Sequence, residues 1–267
     1  MSQFTPASVS VVLSRIRTVR TEGLGVVTLA RPERKNVLDR QTAIELVQTL
    51  RAFEAADDVR VVIVEGDGDD FCAGADVAAL SLTLDAGADT QIEDARALGR
   101  VFSTMREMTK PIVAIVRGSA LGGGAGLATA CDICLAEETA QFGYPDVRTG
   151  FVPAMVMTML RRAVGERRAA ELVLTGRIIE APEAERIGLI SRSIPTAAFP
   201  AEVAKTLDSL VKMPRTAIGL TKRLLYRMDD LDFAQSIGVG IIGNVESRAT
   251  EDFRAGVRRV LDYNGDS

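Results

Sequence analysis

The chain has 267 residues, 47% hydrophobic and 25% charged, with a formal net charge of −4. That describes a globular protein with a sizeable core and argues against nucleic acid as a partner. It contains no histidine, which excludes Ser-His-Asp and Cys-His nucleophiles and His-based zinc sites, so acid–base chemistry falls to Asp, Glu, Tyr, Lys or Cys.

In chain order, MSQFTPASVS shows neither the basic nor the apolar region of a signal peptide, and no apolar run reaches the roughly 18 residues of a membrane span. A cytoplasmic protein with no membrane partner is expected. VSVVLSRIRTV and GLGVVTLA, joined by RTEG, predict a hairpin. The polar loop RPERKN leads into DRQTAIELVQTLRAFEAA. There Asp39 is placed to cap a helix whose apolar residues Ile44, Val47, Leu50 and Phe53 recur at helical spacing. VRVVIVEG and KPIVAIVRG are continuous apolar runs, as expected of strands buried on both faces. Between them DGDDFCAGADVAAL passes from loop to helix, SLTLDAGADTQIED reads as a surface loop, and ARALGRVFSTMREM is helical.

The second buried strand ends at GSALGGGAGLATACD, with glycine at four of the five positions 122–126. Glycine costs a helix about 1 kcal/mol relative to alanine, so the cluster needs a reason. A tight turn with close packing is one. Backbone N–H groups that must touch a ligand are another. FCAGAD has the same design: both segments follow a buried strand and open a helix. Two such N–H groups aimed together form an oxyanion hole. Rival glycine motifs fail: a G-x-G-x-x-G pattern needs glycine at Leu127, and no G-K-[ST] occurs.

DICLA is a further buried strand, which makes Cys131 and Cys134 structural thiols despite their C-x-x-C spacing. The order continues with strand AQFGYP, helix PAMVMTMLRRAV, ERRAAELVLTG, helix EAPEAERIG and strand LISRSI. Alternating strands and helices give an α/β architecture. From about Pro200 only helices follow, so the chain divides into a core, 1–197, and a helical region, 198–267. The apolar faces of that tail, including Ile218, Leu224 and Leu225, are expected to bury against other copies.

RPERKNVLD, FCAGAD, ALGGGAGLATACDI and FGYPDVRTGFVPA, in this order, resemble the enoyl-CoA hydratase/isomerase (crotonase) family, and the likeness extends through TGRIIEAPEAERIGLI into the tail. The resemblance implies a crotonase-like spiral of ββα units with a C-terminal helical trimerisation region, in a homotrimer or a hexamer. It implies an acyl-CoA substrate whose enolate-like anion is stabilised at the thioester carbonyl. Coenzyme A is then part of the substrate, and no further cofactor or metal is expected. By position, the oxyanion N–H groups belong to Ala75 and Gly123. The backbone at Ala73 matches the family's adenine contact, and Ala75 borders it. Lys35 is placed to reach a CoA phosphate or stands simply solvated, and Asp76 resembles an N-cap.

Two family glutamates are replaced. The first matches Gly126 and the second matches Asp146. A lone carboxylate suffices to move a double bond, which favours isomerisation with Asp146 as acid and base. The alternative role for Asp146 is a turn residue after Pro145. Tyr144 is a candidate auxiliary acid sharing its face, and a glutamate at 126 should restore the second acid if there is room. In the tail, the family's basic CoA contact matches Tyr263, leaving Arg258 or Arg259 to substitute. A hydratase with a reduced acid–base set, a thioesterase or decarboxylase, and a non-catalytic acyl-CoA-binding homologue stay open as alternatives.

Overall fold

Residues 9–21, 23–81, 84 and 87–265 are described by a computed structural model. The chain begins with strands β1 (Val9–Val12), β2 (Ile16–Thr21) and β3 (Gly23–Leu29), then helix α1 (Arg40–Ala55) and strand β4 (Val59–Gly66). Helices α2 (Val77–Ser81) and α3 (Ala88–Glu107) precede β5 (Ile112–Val116), β6 (Ser119–Leu121) and α4 (Gly123–Ala130). Next come β7 (Ile133–Glu137), β8 (Gln141–Gly143), α5 (Val156–Thr175), β9 (Ile178–Glu180), α6 (Ala181–Arg186) and β10 (Arg192–Ile194). Four helices end the chain: α7 (Phe199–Lys212), α8 (Arg215–Arg227), α9 (Phe233–Arg248) and α10 (Glu251–Gly265).

The valine-rich runs form a seven-stranded sheet in the order β1-β2-β3-β4-β5-β7-β10, antiparallel as far as β3 and parallel beyond it. A second sheet, β6-β8-β9, lies beside it. Each turn of the chain therefore lays one strand in the large sheet, one in the small sheet and then a helix: β5-β6-α4, then β7-β8-α5. The turn before them follows the same plan, because Cys72 bridges Ala120 of β6 between β4 and α2. This is the spiral of ββα units the resemblance implies.

Alternation along β4 divides the core. Val62 and Val64 face α1, α3 and α4, while Val61 and Ile63 face Phe199, Val203 and Leu207 of α7. The helix that opens the 198–267 region thus covers the large sheet, and the outlying helices begin at α8.

Several expectations shift locally. VSVVLSRIRTV is broken at 13–15 into two strands. The cause lies in α1, where Glu45 points inward. It accepts hydrogen bonds from Ser14 Oγ (2.5 Å), Arg15 N (2.9 Å) and Ile16 N (3.2 Å). The buried stripe of α1 is consequently Ala43, Leu46, Leu50 and Phe53, with Ile44 and Val47 at its margin. Asp39 caps that helix, accepting from Thr42 N at 2.7 Å. Helix α3 begins at Ala88, inside the stretch read as loop, and β9 was not anticipated.

Candidate active site

The two glycine turns are stitched side by side by main-chain bonds. Leu38 N donates to Gly74 O (2.7 Å) and Asp76 N to Leu38 O (2.9 Å). Cys72 N donates to Ser119 O, Leu121 N to Cys72 O and Gly122 N to Gly143 O. Ala75 and Gly123 are passed over: neither N–H has an acceptor among the described residues. A Cβ on Gly74 would lie 3.6 Å from Gly123 N, and one on Gly123 would lie 4.0 Å from Ala75 N. Both donors therefore border one opening.

The glycine before each donor is what turns the chain there. Gly74 has φ +101 and Gly122 φ +50, a region L side chains rarely adopt. Space forbids side chains too, since a Cβ at Gly74 would meet Leu121 O at 2.8 Å.

The Asp146 carboxylate completes the group. A Cβ on Gly122 would lie 3.1 and 3.2 Å from its two oxygens, so only the bare glycine lets it approach the Gly123 donor. Asp146 sits in a 3-10 turn, Pro145–Thr149, as the turn reading expected. Its Oδ2 is buried and has no hydrogen-bond partner. Burial raises its pKa above that of an ordinary aspartate, opposed only in part by its own backbone N–H. A carboxylate with one oxygen unpartnered, shifted towards neutrality beside free N–H donors, suits proton exchange.

Lys35 and Ala73 are joined by a 2.9 Å bond from Ala73 N to Lys35 O. The Lys35 backbone is left-handed at φ +52, and its mostly exposed side chain stands 3.6 Å from Asp70. Asp76 accepts from Ala79 N (3.1 Å) at the start of α2, the cap expected of it. It is also buried between Arg31 (3.2 Å) and Arg34 (2.8 Å). Arg31 continues to Asp39 (2.9 Å), and Arg15 joins there (2.9 Å). Sequence reasoning missed this chain of charges, which ties the RPERKN loop to the peptide carrying Ala75; three of its four pairs lie 24 to 45 residues apart and leave no local pattern.

Two expectations are corrected. Tyr144 is fully buried, its hydroxyl lies 3.2 Å from Thr129 Oγ1, and burial pushes the phenol far up, so it does not share Asp146's role. At Gly126 there is no room: a Cβ would fall 2.1 Å from Val156 Cγ1 and 2.8 Å from Val156 Cβ. The three cysteines are buried and unpaired, with Cys72 and Cys134 pushed up to about 12 by desolvation. Arg258 and Arg259 are exposed on α10, and the Tyr263 side chain lies outside the described residues.

Residues 19–259 match the family described as enoyl-CoA hydratase/isomerase. The chain belongs to that family. Among its relatives is a "Putative enoyl-CoA hydratase" of Thermus thermophilus, 39% identical over 239 residues, which span 90% of this chain and 94% of the relative. A crotonyl-CoA hydratase of Syntrophomonas wolfei is 34% identical across 91% of this chain and 93% of its own. The crystal structure of human enoyl Coenzyme A hydratase domain-containing protein 3 superposes with a TM-score of 0.89 at 25% identity, covering 93% of this chain and 98% of that one. With these matches the spiral described above is the crotonase fold of the enoyl-CoA hydratase/isomerase family.

Proposed function

We propose that this member of the enoyl-CoA hydratase/isomerase family acts on an unsaturated acyl-CoA through an oxyanion-stabilised enolate, and that its main reaction is a double-bond shift with Asp146 as the single acid and base. The reading rests on one observation: a half-buried carboxylate, one oxygen of which is buried without a partner, lies against the glycine turn that carries one of two free N–H donors. In a 3-enoyl thioester, Asp146 removes a proton from Cα. The electron pair passes to the carbonyl oxygen, which the Ala75 and Gly123 N–H groups hold. Asp146 returns the proton at Cγ as the double bond moves to the 2,3 position, and the carboxylate is restored. The Lys35 loop and the Ala73 backbone hold the CoA part of the substrate. The enzyme works in the cytoplasm as a homotrimer or a dimer of trimers.

Hydration by the reduced acid–base set is the second reading, supported by relatives named as hydratases. The two separate on short 2- and 3-enoyl-CoA substrates in deuterated water. Isomerisation predicts deuterium uptake at Cα and Cγ faster than water addition. Asp146→Asn should lose exchange by about 10² to 10⁴-fold, the usual worth of a general acid–base group, with CoA binding kept. Exchange that survives Asp146→Asn would remove Asp146 from the mechanism. Water addition outrunning exchange would favour the hydratase, and release of free thiol would indicate a thioesterase.

A further inference from the structure

Helix α4 and its N-cap carry two bare positions one turn apart, Gly126 and Gly122. Gly122 lies against the Asp146 carboxylate, and Gly126 N donates to Gly122 O at 3.0 Å. That bond sets Gly126 one helical turn, about 5.4 Å, along the axis from the glycine that borders Asp146. A polar group at 126 would therefore approach the space in which Asp146 works. That position is filled from outside the helix. Val156, the first residue of α5 and only 4% exposed, sits on Gly126 with Phe102 behind it. The side chains nearest to position 126 are thus both apolar.

We propose that Val156 confines this site to a single carboxylate. By occupying the space over Gly126, it leaves no room there for a second acid, so that Asp146 shuttles a proton with no partner carboxylate to place water. Val156 acts by filling this space. This inference rests on the single-carboxylate reading above.

The test transposes the glycine. Alanine is normally favoured over glycine within a helix, yet Gly126→Ala should lower the melting temperature by about 5 °C or more, because its Cβ meets Val156. In a Val156→Gly background the same substitution should raise it. A Gly126→Ala change that acts alike in both backgrounds would overturn the packing on which the proposal stands. For the reaction, Val156→Gly alone should leave the ratio of water addition to deuterium exchange unchanged, since an apolar cavity stays dry. Gly126→Glu combined with Val156→Gly should raise that ratio at least 10-fold, and the combination with Gln at 126 should not. The shorter Gly126→Asp with Val156→Gly carries the same readout if the glutamate variant fails to fold. A folded acidic variant that exchanges protons like wild type but gains no water addition would overturn the proposal. Wild type lacking Asp146-dependent exchange would instead overturn the single-carboxylate reading, and the melting comparison would still decide where Val156 sits.

Discussion

A carboxylate partly withdrawn from water, with one oxygen left without a donor, destabilises the fold that holds it. Asp146 is such a group, with its pKa raised by burial. The native state therefore binds its proton more tightly than the unfolded chain does. Its contribution to stability is greatest below the ordinary aspartate pKa and falls as pH rises through the raised one. Asp146→Asn should accordingly melt about 2–4 °C higher than wild type near neutral pH, and the gap should close on acidification; an equal gap at every pH would contradict the assignment. Proton exchange by wild type should fall as pH drops through that raised pKa, earlier than for an ordinary aspartate. The position of Asp146 was legible, because a motif marks it. Its orphaned state was not, since it depends on Gly122 and on burial. Val156 stands 30 residues from Gly126 and nothing in the sequence joins them, so the crowding at 126 became visible only in three dimensions.

The continuous apolar runs were legible as strands because burial on both faces removes every polar residue from them, and β4 falls where VRVVIVEG predicted. The face of α1 was misread because Glu45 occupies a core position, which no apolar periodicity can announce. The attachment of α8 was equally hidden. Lys222 reaches under the core to Asp132 (2.7 Å) and the carbonyl of Lys110 (3.0 Å), and Tyr226 donates to Asp132 at 2.5 Å. Asp132 also accepts from Ile112 N at the start of β5 (2.7 Å), so one carboxylate joins tail to sheet. Removing one partner of a buried pair leaves its charge uncompensated. Lys222→Met should cost about 3 kcal/mol, read from urea unfolding; a loss under about 0.5 kcal/mol would show that the pair behaves like a surface one.

The tail leaves an apolar face without cover. On α9, Phe233, Ile237, Ile241, Ile242 and Val245 are each more than half exposed, and Leu225 of α8 is 61% exposed. A patch of this kind is expected to bury against other copies of the chain. Light scattering at micromolar concentration should give a trimer or a hexamer, and a monomer would contradict the expectation. That strands cease after Ile194 was legible; that α7 turns back onto the sheet was not, because an amphipathic helix looks alike whether it covers its own sheet or a neighbour. The order of the large sheet has a consequence for synthesis. Each of its strands pairs with the one laid down before it: β4 with β3, β5 with β4, β7 with β5 and β10 with β7. A chain leaving the ribosome can therefore extend the sheet from one edge, with no strand inserted between two others and only one crossover to close at a time. Until it ends, the nascent protein always carries an open edge, and that edge passes at last to β10, three residues long and too short to recruit another chain.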